Sequence, residues 1–523
     1  MTEGSMKVRL RLGLVLVGVL TVACGDSGGG GGNAAVDGGG GNASGGQGAT
    51  GASAGSGGVT GGSGGSAGGS GGLSGSGGSA GGASGAGGGA GASGGSGGAS
   101  GSGGSGGGSG GTSSCPSGQH LCSGGCTPIS ATSCGTTCDV CTAPANATPY
   151  CHEAGFGSCR WNCNAGFVRC GAQCCPGGSV VQVEAGLNYT CALFSSGAAK
   201  CWGLNWYGQL GNDSTLSVVA PVDVIGLNTA KVLAASEDHV CALTTSGTLK
   251  CWGSNGKGAL GTGDTSVHHS PVDVPGLNAV DQVVVGTGFT CARLGGLVKC
   301  WGDNAAGQLG TGNVASSKVP VDVPGLSGVL ELAAGDVFAC ARLATSVKCW
   351  GQNISGNLGT GDNKNSPSPV TVKNLTTVDS IVSMWAHACA RTGTGAQCWG
   401  NGVLGALGNG VMGNSNVPVA VTGAGLIADL QTGQAHSCVL RTNKTVSCFG
   451  ANGDGQLGNG TTAHSASPVV VSGMSTAKQI SLGRHSCALL ESGKVQCWGD
   501  NAEGALGDGT KLDRSTPTDV IGL

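Results

Sequence analysis

Seven cysteine pairs recur along the chain at a nearly fixed interval, and no other feature limits its fold as tightly. Their first members are Cys191, Cys241, Cys291, Cys340, Cys389, Cys438 and Cys487, spaced by 49 or 50 residues. Each has a partner nine or ten residues on: Cys201, Cys251, Cys300, Cys349, Cys398, Cys448 and Cys497. Trp-Gly follows the second cysteine in six copies and Phe449-Gly450 in the other. An N-x-x-G-[QAN]-L-G turn comes next in most copies, then a Pro-Val strand. Seven units fill 179–523. A period of roughly 40 to 50 residues with several short strands per unit marks a β-propeller.

The third copy reads as four strands, at 281–285, 289–294, 297–301 and 319–323, with glycine turns between. Helices are excluded, because the apolar runs are five or six residues long and glycine breaks them. A two-residue turn at Gly295-Gly296 sets Leu294 opposite Leu297 and Cys291 opposite Cys300. Directly opposed antiparallel residues have α-carbons about 4.5 to 5.5 Å apart, within reach of a disulfide. Copies with the longer spacing take a three-residue turn, such as Ser195-Ser196-Gly197. One local disulfide per blade is the expectation.

Three unlike pieces precede the repeats. Lys7, Arg9 and Arg11 followed by the apolar run 12–23 form an export signal over 1–23, too short for a membrane-spanning helix. Thr21-Val22-Ala23-Cys24 resembles the lipobox of bacterial lipoproteins, which implies lipidation at Cys24. It departs from that motif in having Leu20, not Thr21, as its leucine. Residues 24–114 are then a lipid-anchored, disordered linker of glycine, serine and some alanine, with nothing to bury. About 90 such residues have a root-mean-square reach of roughly 50 Å. Residues 115–178 hold twelve cysteines and few large aliphatics, so disulfides rather than a core must hold them. Cys138 and Cys141 have metal-ligand spacing, but an even cysteine count in an exported chain favours six bridges over zinc. Their connectivity is not legible. The run 122–138 is similar to the cysteine-rich repeats of the stigma-specific family, which implies a small extracellular module.

The repeats resemble those of the regulator-of-chromosome-condensation family, through [HFY]-[STVA]-C-A-[LR], CWG and NAAGQLGTG. The resemblance implies an all-β, seven-bladed propeller that binds proteins through its faces and loops. The family includes a nuclear nucleotide-exchange factor, parts of ubiquitin ligases and a secreted bacterial inhibitor of β-lactamases. Nuclear exchange fits poorly with an export signal. The repeats hold 19 Lys and Arg against 22 Asp and Glu, and the chain's net charge is −3, which excludes a nucleic-acid footprint.

No catalytic set, metal site or cofactor motif emerges. His239, His387, His436 and His485 share the slot two before the first cysteine with Tyr189, Phe289 and Phe338, so the slot selects for packing rather than a ligand. His268-His269 reads as a loop pair. The Gly310-Thr311-Gly312 triplet sits in a blade turn and opens no helix. Asp264, Asp303, Asp362, Asp454, Asp500 and Asp508 read as turn residues.

Two variable slots stand out. The N-x-x-G turn carries Trp206-Tyr207 in copy one and Val403-Leu404 in copy five, where the others carry mostly small or polar residues. The slot after the first strand holds Leu187, Glu237, Thr287, Asp336 and Gln434, but Trp385 in copy five. In an up-and-down blade both connections emerge on one face. That face, with Trp206, Tyr207, Trp385, Val403 and Leu404, is the expected site for a protein or glycan partner. The whole reads as a monomeric, non-enzymatic binding module anchored to the bacterial cell envelope, with inhibition of an extracellular hydrolase or a structural surface role as alternatives.

Overall fold

The computed structural model describes residues 119–122, 125–128, 143–151, 159–375, 377–393 and 395–523. All fall in one compact unit that includes Thr112–Leu523. The export signal, Cys24 and the Gly/Ser linker lie outside the described residues.

Seven four-stranded antiparallel sheets follow one another, at 180–223, 230–273, 282–322, 331–371, 380–420, 427–470 and 477–519. They are blades 1 to 7. In blade 3 the strands are Gln282–Gly286, Phe289–Leu294, Leu297–Gly302 and Ser317–Asp322. The fourth begins two residues earlier than its apolar content indicates, because Ser317 pairs with Gly302 across a register shift. The first strand of each blade packs beside the first strands of its neighbours, so these seven line the central channel. Blade 7 meets blade 1 directly, where Gln479 Oε1 accepts from the Val183 N–H at 3.1 Å and Ser481 Oγ from the Ala185 N–H at 2.9 Å.

The second and third strands form the anticipated hairpin. Cys291 is opposite Cys300 and Leu294 opposite Leu297. All seven repeat pairs are bonded, with α-carbons 4.0 to 4.1 Å apart, slightly closer than an unlinked antiparallel pair. The glycine after each tryptophan is dictated by its neighbours. Gly203 has φ +105°, and a Cβ there would lie 2.6 Å from Asn188 O and Tyr189 Cα.

The tryptophans join the blades. Trp252 Nε1 donates to Gln209 O of blade 1 at 2.9 Å, and Trp301 Nε1 to Ala259 O of blade 2 at 2.9 Å. Trp350, Trp399, Trp498 and Trp202 repeat the bond round the ring. Each indole lies against the glycine of the L-G pair in the blade before it. A Cβ on Gly261 would meet Trp301 Nε1 at 2.7 Å. Phe449 is the exception and makes no such bond.

Upstream, paired strands Gln119–Cys122 with Gly125–Pro128, Ala147–Cys151 with Cys159–Cys163, and Phe167–Cys170 with Gln173–Pro176 form the cysteine-rich module. Cys163–Cys174 and Cys170–Cys175 are bonded. The other bridges of the expected six lie outside the described side chains. The module is welded to blade 1. The Cys163 N–H donates to Asp223 Oδ2 at 2.6 Å, and Lys200 Nζ donates to Cys163 O at 2.7 Å. Lys200 and Asp223 are themselves paired at 3.4 Å and buried. Blades 2 and 3 carry the equivalent pairs Lys250–Asp273 and Lys299–Asp322 in the open.

Candidate binding face

Because the strands alternate in direction, the connections between strands one and two and between strands three and four emerge together. The inner connections ring the channel mouth, with Leu187, Glu237, Thr287, Asp336, Trp385, Gln434 and Gly483 in equivalent places. Main-chain hydrogen bonds pass from blade to blade around this rim. Thr287 N–H donates to Asp336 O at 2.9 Å, Asp336 N–H to Trp385 O at 2.7 Å, and Arg484 N–H to Leu187 O at 3.0 Å. Trp385 sits at φ +52°, a conformation few side chains adopt. Within the rim is a shallow cup, open to solvent and lined by Leu187, Glu237, Thr287, Asp336, Met384 and Trp385 among others.

The cup is acidic. Burial, then the charges of Asp238 and Asp336, push the Glu237 carboxyl above its ordinary value. Burial likewise raises Asp336, against a hydrogen bond from Thr287. Burial also opposes ionisation of Asp238, but hydrogen bonds from His239 and Ser254 outweigh it and hold that carboxyl low.

The outer connections carry the second set of variable residues. Asn205 anchors the blade 1 turn. Its Oδ1 accepts from the Leu210 N–H at 2.9 Å, and its Nδ2 donates to Ser214 O at 2.9 Å and Leu216 O at 3.1 Å. That leaves Trp206 65% and Tyr207 45% exposed, with Leu216 beside them at 54%. In blade 5 the anchoring slot is Gly402, not Asn401. A Cβ at Gly402 would lie 2.2 Å from Gly413 O and 2.7 Å from the Leu407 side chain, and the Gly402 and Val403 N–H groups donate to Asn414 Oδ1 at 3.1 Å and Asn401 Oδ1 at 3.2 Å. Gly413 N–H donates to Gly402 O at 2.8 Å, which brings Val411 and Met412 back beside exposed Val403 and half-buried Leu404.

The five expected residues therefore share a face but form no single patch. Trp206 and Tyr207 lie on the rim of blade 1, Val403 and Leu404 on the rim of blade 5, and Trp385 at the centre, half-buried. Leu216, Val411 and Met412 join the rim clusters. Sequence reasoning passed over them because they follow the turn motif at variable distance and align poorly between copies.

The slot before each first cysteine is buried between blades. His239 Nε2 lies 2.9 Å from Thr290 Oγ1, His387 Nε2 2.9 Å from Ser437 Oγ, His436 Nε2 2.8 Å from Ser486 Oγ, and His485 Nε2 2.6 Å from Thr190 Oγ1. Each hydroxyl spends its proton on a carbonyl: Ala259, Ala406, Gln456 and Ala505 in turn. The imidazole must then be the donor, with its proton on Nε2. Burial lowers His387 to about 4 and His485 to about 4. It lowers His436 to about 3, with help from the other two. His387, His436 and His485 are neutral blade-to-blade staples, and His239 also lies 3.3 Å from Asp238 Oδ1 through Nδ1. Among the described residues no group of three or more His, Cys, Asp or Glu is placed to hold a metal. His268 and His269 open the fourth strand of blade 2 rather than lying in a loop. Asp264, Asp362, Asp500 and Asp508 each accept a backbone N–H two residues on.

Ring and staples define a seven-bladed β-propeller. Its repeats have a family. Models of the Regulator of chromosome condensation (RCC1) repeat match 197–243, 246–293, 296–342 and 445–490, and a related model of that repeat matches 180–209, 231–259, 427–456 and 478–505. The chain carries RCC1 repeats. Neither model covers 343–426, the stretch that holds the variant turn of blade 5. No curated protein matches the chain. Solved structures do. A chain in the crystal structure of Kap60 bound to yeast RCC1 (Prp20) is 20% identical, with 66% of this chain and 85% of that one covered at a TM-score of 0.56. Prp20p from Saccharomyces cerevisiae is 21% identical, with 65% and 87% covered and a TM-score of 0.55. Human WBSCR16 is 21% identical, with 62% and 94% covered and a TM-score of 0.55. At such identities the likeness speaks for the fold.

Proposed function

We propose that the chain is an envelope-anchored binding module that recognises a protein outside the cytoplasm through the face bearing Trp206, Tyr207 and Trp385. The observation that carries this reading is the exposure of Trp206 and Tyr207 on a turn whose counterparts are mostly small or polar. Large aromatics left open on a pre-organised turn are what interfaces use as anchors. The repeat family supports protein binding as the role, and the yeast relative Prp20p has been studied for its binding to Gsp1p and histones. The apolar segment before Cys24 supports export and lipid anchoring at that cysteine, with the Gly/Ser linker as tether. The module acts as a monomer, without cofactor and without nucleic acid.

The test is capture from the producing organism's surface extract and spent medium on the immobilised, oxidised full chain, beside Trp206→Ala/Tyr207→Ala. A protein held by the wild type and lost from the variant supports the reading. If that protein is a hydrolase, the function is inhibition. Equal retention on both, or none on either, refutes it.

A further inference from the structure

The cup at the channel mouth is not explained by packing. Glu237 of blade 2 and Asp336 of blade 4 flank Thr287 of blade 3, whose hydroxyl lies 3.3 Å from Glu237 Oε2. Asp336 sits on main chain bonded to both neighbouring blades, through Thr287 N–H to its carbonyl and its own N–H to Trp385 O, and its charge acts on Glu237. The cation whose field reaches Glu237 is Arg484, but its Nε donates to Gln434 Oε1 at 3.0 Å, across the rim. The rest of the lining is partly apolar, with Trp385 and Met384 from blade 5 and Leu187 from blade 1. Trp385 is held in its left-handed conformation by the bond from the Asp336 N–H to its carbonyl.

We propose that this cup receives one cationic side chain, a lysine or arginine, from the protein that docks on the face. The inference rests on the face being a protein-binding surface and adds what the partner must present there. An ammonium or guanidinium against an indole, with two carboxylates in the same lining, gains both cation–π and ionic attraction in a partly desolvated site. The aliphatic stem would lie along Met384 and Leu187. The raised carboxyls of Glu237 and Asp336 accord with this, because a bound cation relieves the strain that burial imposes. A neutral sugar leaves the carboxylate pair uncompensated.

The experiment uses the full oxidised chain labelled with 5-fluorotryptophan, the Trp385 ¹⁹F signal being assigned with Trp385→Phe. The probes are acetylated, amidated Gly-Lys-Gly and Gly-Arg-Gly, with Gly-Glu-Gly as control. The Trp385 signal moves saturably with both cationic probes and not with the control. Glu237→Gln/Asp336→Asn weakens that binding at least tenfold while the remaining tryptophan signals hold their positions. Arg484→Gln, which removes the nearby positive charge without touching the cup wall, tightens it at least twofold. An unmoved Trp385 signal, an equal response to Gly-Glu-Gly, or unchanged affinity in the charge variants overturns the proposal. Should the probes fail while capture through Trp206 and Tyr207 succeeds, the cup falls and the face stands; the converse result separates them the other way.

Discussion

Blade 6 breaks two repeat rules at once, and the breaks compensate each other. Six blades set alanine after the first cysteine and tryptophan after the second; blade 6 sets Val439 and Phe449. Ser437 is opposite Phe449 and Val439 is opposite Ser447, so Val439 is the diagonal neighbour of Phe449 on one face of the sheet. Both are fully buried in the same cluster. Valine adds two carbons over alanine, and phenyl gives up about three heavy atoms of an indole, so volume is nearly conserved. What is lost is a hydrogen bond. Ala259 O accepts from both Thr290 Oγ1 and Trp301 Nε1, whereas the equivalent Ala406 O accepts from Ser437 Oγ and receives no indole. Phe449→Trp alone should overpack the site and cost about 1 to 3 kcal/mol. Val439→Ala alone should leave a cavity and cost about 1 to 3 kcal/mol. The double variant restores the common pair and adds the indole bond, so it should equal or exceed the parent by about 1 kcal/mol. The coupling energy is then at least about 2 kcal/mol and favourable. Urea denaturation of the oxidised chain measures it. Additive losses would refute the reasoning, since they would mean that the two substitutions do not share one space.

Acid should loosen the blade junctions. His387, His436 and His485 are held at about 3 to 4 against 6.5 when unfolded, so the unfolded chain takes up protons first as pH falls. Their contribution is complete above pH 6.5 and lost progressively down to about pH 4, which thermal melting across that window will show and a flat profile will deny. Glu331 runs the other way. Burial raises it to about 7 despite Arg342, so the penalty of its charge grows as pH rises from 4.5 to 7. Gln182 and Gln282, in matching places, accept a neighbouring N–H and donate to the same residue's carbonyl. Glu331→Gln should therefore stabilise at pH 8 by about 1 to 3 kcal/mol and make no gain at pH 4. Asp223→Ala strands buried Lys200 and the Cys163 N–H, and should cost about 3 to 5 kcal/mol and expose residues 143–178 to protease. Asp273→Ala, in the exposed equivalent, should cost under about 1 kcal/mol.

The fold was legible because each unit repeats its own evidence. A cysteine pair nine or ten residues apart fixes one hairpin register, and seven copies exclude coincidence. The pairing of the second and third strands and the local disulfide follow from the same count, whereas the fourth strand's start does not, because it lies across a register shift. The inter-blade staples were only half legible. Every histidine of the slot faces a serine or threonine in the next blade: His239 with Thr290, His387 with Ser437, His436 with Ser486, His485 with Thr190. Where the slot holds Tyr189, Phe289 or Phe338, the next blade offers Val240, Ala339 or Ala388. That pairing is present in the sequence one repeat apart, but reading it requires knowing which blades touch. The site was less legible still. Trp206 and Trp385 stand out as odd residues in repeated slots, but radial position does not follow from the repeat. Sequence places both on one face without separating rim from channel.

That separation has a consequence for how such a face evolves and works. The staples, indole bonds and disulfides all lie between the second and third strands or at blade junctions, beneath the face. The rim turns and the mouth slots lie outside them. A turn such as 205–208 is held by Asn205, by Gly208 and by Gln209, whose Oε1 accepts the Tyr207 main-chain N–H at 3.0 Å, so the side chains of Trp206 and Tyr207 carry none of that load. The mouth slot is held by its backbone, which is why leucine, glutamate, threonine, aspartate, tryptophan and glutamine all fit it. Specificity is thus written at positions where substitution costs little stability, and the framework beneath keeps them in place. Trp206→Ala/Tyr207→Ala should accordingly move the melting midpoint by less than about 1 °C, and a larger loss would place those rings in the framework instead of on the binding face.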